Sequence, residues 1–220
     1  ISTDKAVEPT GIMGASTRIG ELMMSALSAD GPTKFTSVRF GNVLNSRGSV
    51  VPTFLKQIDL GGPITITHPD MSRFFMGLLE GVSLVIQAAT LTKGNDTFMI
   101  EMGEEMNIVE LARKIIRLRG LRVGEDIEFS YTGARPGERL KEELICASFE
   151  EKHPTQHPFI SRVESKAPLP TQLLSPRIKE IISLAQTGKR EKMLSAVHEL
   201  ASFPLEKPTS VITTEAQTSA

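Results

Sequence analysis

The sequence predicts an α/β fold with a parallel component, and three observations carry that expectation. Stretches with apolar residues at helical spacing alternate along the chain with short runs rich in β-branched and aromatic residues. Glycine and proline clusters such as Gly31-Pro32 and Gly61-Gly62-Pro63 punctuate them. The 220 residues are 40% apolar and 23% charged, an ordinary globular composition in a chain long enough to bury a core.

Residues 1–12 are polar and broken by Pro9 and Gly11, as expected of a strand-end loop that feeds a helix. Ile19, Leu22, Met23, Ala26 and Leu27 then keep helical spacing until Gly31-Pro32 stops the helix. FTSVRFGNV (35–43) reads as one strand ending near glycine. The loop NSRGS (45–49) leads into a short helix, VVPTFLKQIDL, and Ile64–Thr67 into a brief strand before a turn at His68-Pro69-Asp70. Gly77 to Leu91 reads as an apolar helix and TFMIEM (97–102) as a buried strand. Asn107 is an N-cap with Glu110 in a capping-box position, and Ile108, Leu111, Ala112, Ile115 and Ile116 form the buried stripe of its helix. DIEFSYTG (126–133) predicts a strand, RPGERLKEELI a turn running into a helix, and 147–170 a loop-rich stretch. Ile178, Ile181, Ile182 and Ala185 mark one amphipathic helix; Met193, Val197 and Leu200 mark another after Gly188. The closing residues, rich in Thr, Ser and Ala, predict disorder.

Composition excludes several function classes. Twenty-five Lys+Arg against 26 Asp+Glu give a net charge of −1, so no global field draws nucleic acid or an anionic membrane. The basic run Arg113, Lys114, Arg117, Arg119 has no interleaved aromatic platform and reads as a solvated helix face. The single cysteine, Cys146, excludes an internal disulfide framework and reads as a buried small hydrophobe after an apolar helix. His68, His153, His157 and His198 lack metal-ligand spacing, so no metal is expected. The longest apolar runs are about half of what a bilayer span needs. The chain begins at Ile1 rather than Met and carries no phosphate-binding glycine fingerprint, as expected of a fragment whose nucleotide-binding first half lies elsewhere.

Four segments carry more than this. STDKAVEPTGIMGASTR (2–18), RFGNVLNSRGSVVP (39–52), PITITHPDMSRFFM (63–76) and TGARPGERLKEEL (132–144) together resemble nucleoside-diphosphate-sugar 4,6-dehydratases of bacterial polysaccharide synthesis. These belong to the extended short-chain dehydrogenase/reductase group, and the tail to about residue 205 is similar to its membrane-anchored, CapD-like branch. The resemblance implies the C-terminal part of an extended Rossmann-type fold interleaved with a nucleotide-sugar-binding subdomain (1–146). It further implies a two-helix extension (147–205) and a disordered tail (206–220). The implied chemistry passes a hydride from sugar C4 to NAD, removes the acidified C5 proton, expels the C6 hydroxyl as water and returns the hydride to C6. The implied NAD is held mainly by an N-terminal half outside this chain.

By resemblance Asp4 is the acid, Lys5 the base, and Thr3 the partner of the C4 hydroxyl. Without the family, the three are a polar loop before a helix. Met13 stands where most of the superfamily has a tyrosine; a thioether carries no proton, so the implied role is packing against nicotinamide or sugar. Thr17 stands where the family has a lysine that holds the nicotinamide ribose, and a short uncharged side chain does not replace it. Arg18 is adjacent, but one helical residue turns it by about 100° to face elsewhere. Asn42, Ser46, Arg47 and Ser49 resemble sugar and diphosphate contacts, and Thr65 and Ile66 the edge strand whose backbone reads the base. Arg73 and Arg135 suit phosphate because a guanidinium binds it bidentately, and Glu138 resembles the ribose ligand. Plainer readings stand beside these: Arg73 in a salt bridge with Asp70 or Glu80, and residues 135–138 as a turn.

The leading expectation is the substrate-binding and catalytic portion of a UDP-N-acetylhexosamine 4,6-dehydratase. The alternatives are an epimerase of the same superfamily, which needs no leaving-group acid, and a catalytically impaired nucleotide-sugar-binding remnant, suggested by Thr17. The implied partners are a UDP-sugar and further copies of the full-length protein, with no nucleic acid. The implied location is cytoplasmic, with the parent anchored to the inner membrane.

Overall fold

The computed structural model describes residues 1–29, 32–46, 48–166 and 171–202. Arg47 and the tail expected to be disordered lie outside the described residues. A 3-10 turn at Asp4–Ala6 precedes α1 (Ile12–Ala29), β1 (Thr36–Arg39), β2 (Asn42–Val43), α2 (Val50–Asp59), β3 (Ile64–Ile66), β4 (Ser72–Arg73) and β5 (Phe75–Met76). Then come α3 (Leu78–Leu91), β6 (Asp96–Ile100), β7 (Met106–Asn107), α4 (Ile108–Leu118) and β8 (Phe129–Tyr131). β9 (Glu150–Pro154), β10 (Ile160–Ser165), α5 (Thr171–Gln186) and α6 (Arg190–Ala201) complete the chain.

The main sheet has the order β1-β6-β10-β9. β1 and β6 run parallel, and β10 runs antiparallel to both β6 and β9. Three two-stranded ribbons surround it: β2 with β5 and β3 with β8, both parallel, and β4 with β7, antiparallel. One core forms where Val38, Phe98, Ile100 and Ile160 of the main sheet meet Leu84 and Ala88 of α3. A second forms where Phe54 and Ile58 of α2 and Ile64 and Ile66 of β3 meet the whole expected stripe of α4. Val197 and Ala201 of α6 pack with Ala15 of α1, so the last helices brace the first.

All but one of the expected helices and the parallel pairing are observed, and the Asn107 side chain caps α4 by accepting from the amides of Val109 and Glu110. Glu110 turns to Arg113 at 3.3 Å. Three expectations are overturned. The single strand over 35–43 is two, because the chain leaves the main sheet at Phe40-Gly41 and pairs β2 with β5. Residues 135–145 form no helix: Glu142, Leu144 and Cys146 are buried while Lys141 and Glu143 are exposed, the period of two of extended chain. Tertiary bonds override helix propensity there, beginning with the Ser72 amide donating to the Leu140 carbonyl at 2.9 Å. Cys146 is buried as expected, but it closes this extended strap and not a helix. The loop-rich stretch contains the β9–β10 hairpin, which joins the main sheet through β6 across the expected boundary at 146/147. β9 is a charged edge strand, EEKHP, and such strands lack apolar alternation.

Candidate active site

The first residues lie beside β1. The amide of Ser2 donates to the Val38 carbonyl at 2.8 Å and that of Asp4 to the Phe40 carbonyl at 3.1 Å. Thr3, Asp4 and Lys5 therefore stand at the C-terminal end of a parallel strand, where open α/β sheets bind ligands. The Thr3 hydroxyl and the Lys5 amine each donate to Asp4 Oδ1, both at 2.8 Å. Asp4 is fully buried, and its Oδ2 has no hydrogen-bond partner. Gly14 makes this packing possible, because a Cβ there would lie 2.0 Å from the Lys5 carbonyl oxygen.

Lys5 opens onto a cleft of about 400 Å³ that Met13, Arg73, Arg135, Glu138 and Glu142 also line. Its far wall is the extended strap. Gly137 adopts φ +79°, and the Thr10 hydroxyl donates to its carbonyl at 2.8 Å. Arg139 ties the strap to the carbonyls of Val7 and Glu8. The Arg135 amide donates to Glu138 Oε2 at 3.1 Å, the turn that the plainer reading of 135–138 expects. Arg73 is buried, with Nη1 donating to the carbonyls of Ser72 (2.6 Å) and Leu140 (3.1 Å). Its Nη2 faces Glu138 at 3.7 Å and Glu142 at 3.8 Å, not Asp70 or Glu80. Burial pushes the Glu142 carboxyl above its ordinary range; Lys5, Arg73 and Arg139 pull it back, and Asp4 adds to the rise.

Five of the expected site residues thus meet at one cleft: Lys5, Met13, Arg73, Arg135 and Glu138, with Thr3 and Asp4 directly behind Lys5. The others stand apart from its lining. Thr17 lies one helical turn beyond Met13, its hydroxyl engaged by the Met13 carbonyl at 2.9 Å. Arg18 faces the interior, as the helical rotation predicts. Asn42 pairs with β5, and Ser46 accepts the Ser49 amide through its carbonyl at 3.0 Å. Ser49 is the N-cap residue of α2, and its buried hydroxyl has no partner. The Thr65 amide donates to Gln57 Oε1 at 3.1 Å, while the Ile66 carbonyl accepts from the Thr132 amide at 3.0 Å.

Two features had no signal in the residue types alone. Glu142 and Arg139 enter the cleft because the strap is extended, which a helical reading hides. A buried ion cluster joins Arg39, Glu21, Glu150 and Arg18, with four contacts of 2.7–2.8 Å around Arg39. The Ser2 hydroxyl donates to Glu21 Oε1 at 2.6 Å, which fixes the residue next to Thr3.

This arrangement coincides with a family match. The polysaccharide biosynthesis protein family aligns with residues 1–165, taking in the 3-10 turn, the strap and the β9–β10 hairpin. The chain belongs to that family. It is 50% identical over 157 residues to the capsular polysaccharide biosynthesis protein CapD of Staphylococcus aureus, covering 71% of this chain and 26% of CapD. It is 36% identical over 150 residues to a UDP-glucose 4-epimerase of Rickettsia akari, covering 67% of this chain and 42% of that enzyme. The dTDP-glucose 4,6-dehydratase DesIV of Streptomyces venezuelae, solved with NAD and TYD bound, has the same fold. Its TM-score is 0.58 at 16% identity, covering 67% of this chain and 50% of DesIV. The chain spans about a quarter to a half of these proteins' lengths. Among the described residues, no helix is long and apolar enough to cross a membrane.

Proposed function

We propose that this chain is the substrate-binding and catalytic portion of a UDP-N-acetylhexosamine 4,6-dehydratase in polysaccharide precursor synthesis. One observation carries the reading: a carboxyl, a hydroxyl and an amine linked at 2.8 Å stand behind a cleft whose other wall presents Arg73, Arg135 and Glu138. Arg73 and Arg135 take the substrate diphosphate and Glu138 the ribose. Beyond the cleft lining, the reading assigns Asn42, Ser46, Arg47 and Ser49 to the sugar and diphosphate, and Thr65 and Ile66 to the base. Thr3 holds the C4 hydroxyl. Lys5 takes the C5 proton, and the C5–H electron pair becomes the C5=C6 bond. In the reactive state the proton shared between Lys5 and Asp4 lies on Asp4, which frees the Lys5 amine as base; Asp4 gives that proton to the C6 oxygen, and the C6–O bond breaks to release water.

Bound NAD would accept hydride at C4 and return it at C6. Met13, 54% exposed at the cleft, fits the apolar flank of a nicotinamide ring. Thr17, bonded to its own helix, brings no cation to the ribose, and a glycine fingerprint for the pyrophosphate is absent from the sequence. The reading therefore places most of the cofactor's contacts on a preceding half of the protein; the full-length protein in this reading self-associates and is anchored to the inner membrane on its cytoplasmic side. The Rickettsia relative favours a second reading, C4 epimerisation, which needs Lys5 and Asp4 for neither elimination nor C6 protonation. Full-length protein incubated with UDP-N-acetylglucosamine and NAD separates the two: a 4-keto-6-deoxy product supports dehydration, and UDP-N-acetylgalactosamine supports epimerisation.

A further inference from the structure

We propose that Glu142 is a positioning residue for the base, holding the Lys5 amine at the mouth of the cleft. The inference rests on the proposed role of Lys5. Glu142 is 6% exposed, although it sits on a strap otherwise edged by solvent-facing Lys141 and Glu143. A glutamate is seldom buried without a charged partner, and here two cations reach the same oxygen. Oε1 lies 3.9 Å from Lys5 Nζ and 3.8 Å from Arg73 Nη2. Lys5 thus has two carboxylates near its amine, Asp4 at 2.8 Å and Glu142 at 3.9 Å. The amine is bonded to Asp4, and the pull of the second carboxylate, 3.9 Å away on the cleft lining, acts on it toward the cavity, where a sugar C5 would lie.

The strap delivers Glu142 to this point. The Arg73 guanidinium and the Ser72 amide both bond the Leu140 carbonyl, two residues earlier, which ties the strap to β4 beside Glu142. The charged groups facing Glu142 are Asp4 and Lys5 on the 3-10 turn, Arg73 on β4, and Arg139 and Glu138 on the strap itself. Arg73 therefore has two carboxylates beside Nη2, and a diphosphate arriving there would displace one and leave Glu142 to Lys5.

The test is competitive acetylation of Lys5 with acetic anhydride at fixed pH, in intact full-length protein, with exposed Lys56 as internal reference. Removing one of the two counter-charges should raise the Lys5 labelling rate about three- to tenfold in Glu142→Gln. Glu143→Gln, its solvent-facing neighbour, should label like wild type. Glu142→Asp keeps the charge one methylene further away and should label between the two; it decides the matter if the glutamine variant does not fold. With a UDP-sugar, Glu142→Gln should lower kcat about tenfold or more with KM changed less than about threefold, since orientation of the base is lost and binding is not. Unchanged Lys5 labelling in both Glu142 variants overturns the proposal, and so does faster labelling with an unchanged kcat. If even wild type turns over no UDP-sugar, the dehydratase reading fails, while the labelling ratio still decides whether Glu142 holds Lys5.

Discussion

The buried cluster around Arg39 and the cleft around Lys5 use the same kinds of side chain to opposite ends. Arg39 is 1% exposed and bonds both oxygens of Glu21 and both of Glu150 at 2.7–2.8 Å. In the cleft, Arg73 Nη2 stops 3.7–3.8 Å from Glu138 and Glu142, and Lys5 Nζ, bonded to Asp4 at 2.8 Å, lies 3.9 Å from Glu142. Fully matched charges have nothing left to offer a ligand, and they hold the chain. Charges left just beyond bonding distance stay available to one. The two regions are also joined: Ser2, bonded to Glu21, precedes Thr3, so the rigid cluster helps set the position of Thr3, Asp4 and Lys5.

Breaking the rigid member should have the largest effect. Arg39→Met leaves two buried carboxylates sharing Arg18 as their one remaining cation in the cluster and should cost about 3–5 kcal/mol in urea unfolding. Acid tests the same cluster. Burial alone would raise the Glu21 carboxyl, but the charge and hydrogen bonds of Arg39, with Arg18 and Ser2, pull it down from 4.5 to about 2. A carboxylate depressed on folding stabilises the protein above its unfolded value, so this stability should fade as the pH drops from 4.5 to about 2. A loss below about 1 kcal/mol for Arg39→Met would put the cluster in the same class as a surface ion pair.

The two arginines of the cleft sharpen the contrast. Arg135 is exposed, so Arg135→Ala should weaken UDP binding by about 1.5–3 kcal/mol in calorimetry and leave the urea midpoint unchanged. Arg73→Ala should weaken UDP binding similarly and also lower the midpoint, because Nη1 holds the Ser72 and Leu140 carbonyls. Equal midpoints for the two variants would remove the distinction. The smallest effect concerns Thr17: in full-length protein Thr17→Lys should tighten NAD by about 1–3 kcal/mol and raise turnover. The Thr17 hydroxyl lies against the Met13 carbonyl, so a longer side chain starts one turn from the cleft. No change in NAD affinity would mean that another cation already serves the ribose.

The contrast also shows what a sequence makes legible. α4 could be read closely, since its cap and its apolar stripe are local and periodic. Lys5, Met13, Arg73, Arg135 and Glu138 were legible because four motifs stood in one family's order, and the fold brings those five to one cleft. The strap was not legible: KEEL favours helix locally, and distant bonds hold it extended, among them those from β4 and those Arg139 donates to the Val7 and Glu8 carbonyls. Glu142 was hidden with it. Arg39, Glu21 and Glu150 carry no local signal, because their partners lie 18 and 111 residues apart in sequence.

The central claim, that Lys5 removes the sugar C5 proton, is tested most directly by turnover in deuterated water. Full-length wild type with NAD and UDP-N-acetylglucosamine should form a dehydrated product, with a solvent deuteron at C5 read by NMR. Lys5→Ala should bind UDP like wild type yet form no dehydrated product and leave C5 unlabelled. Deuterium at C5 of a product formed at the wild-type rate by Lys5→Ala would contradict it.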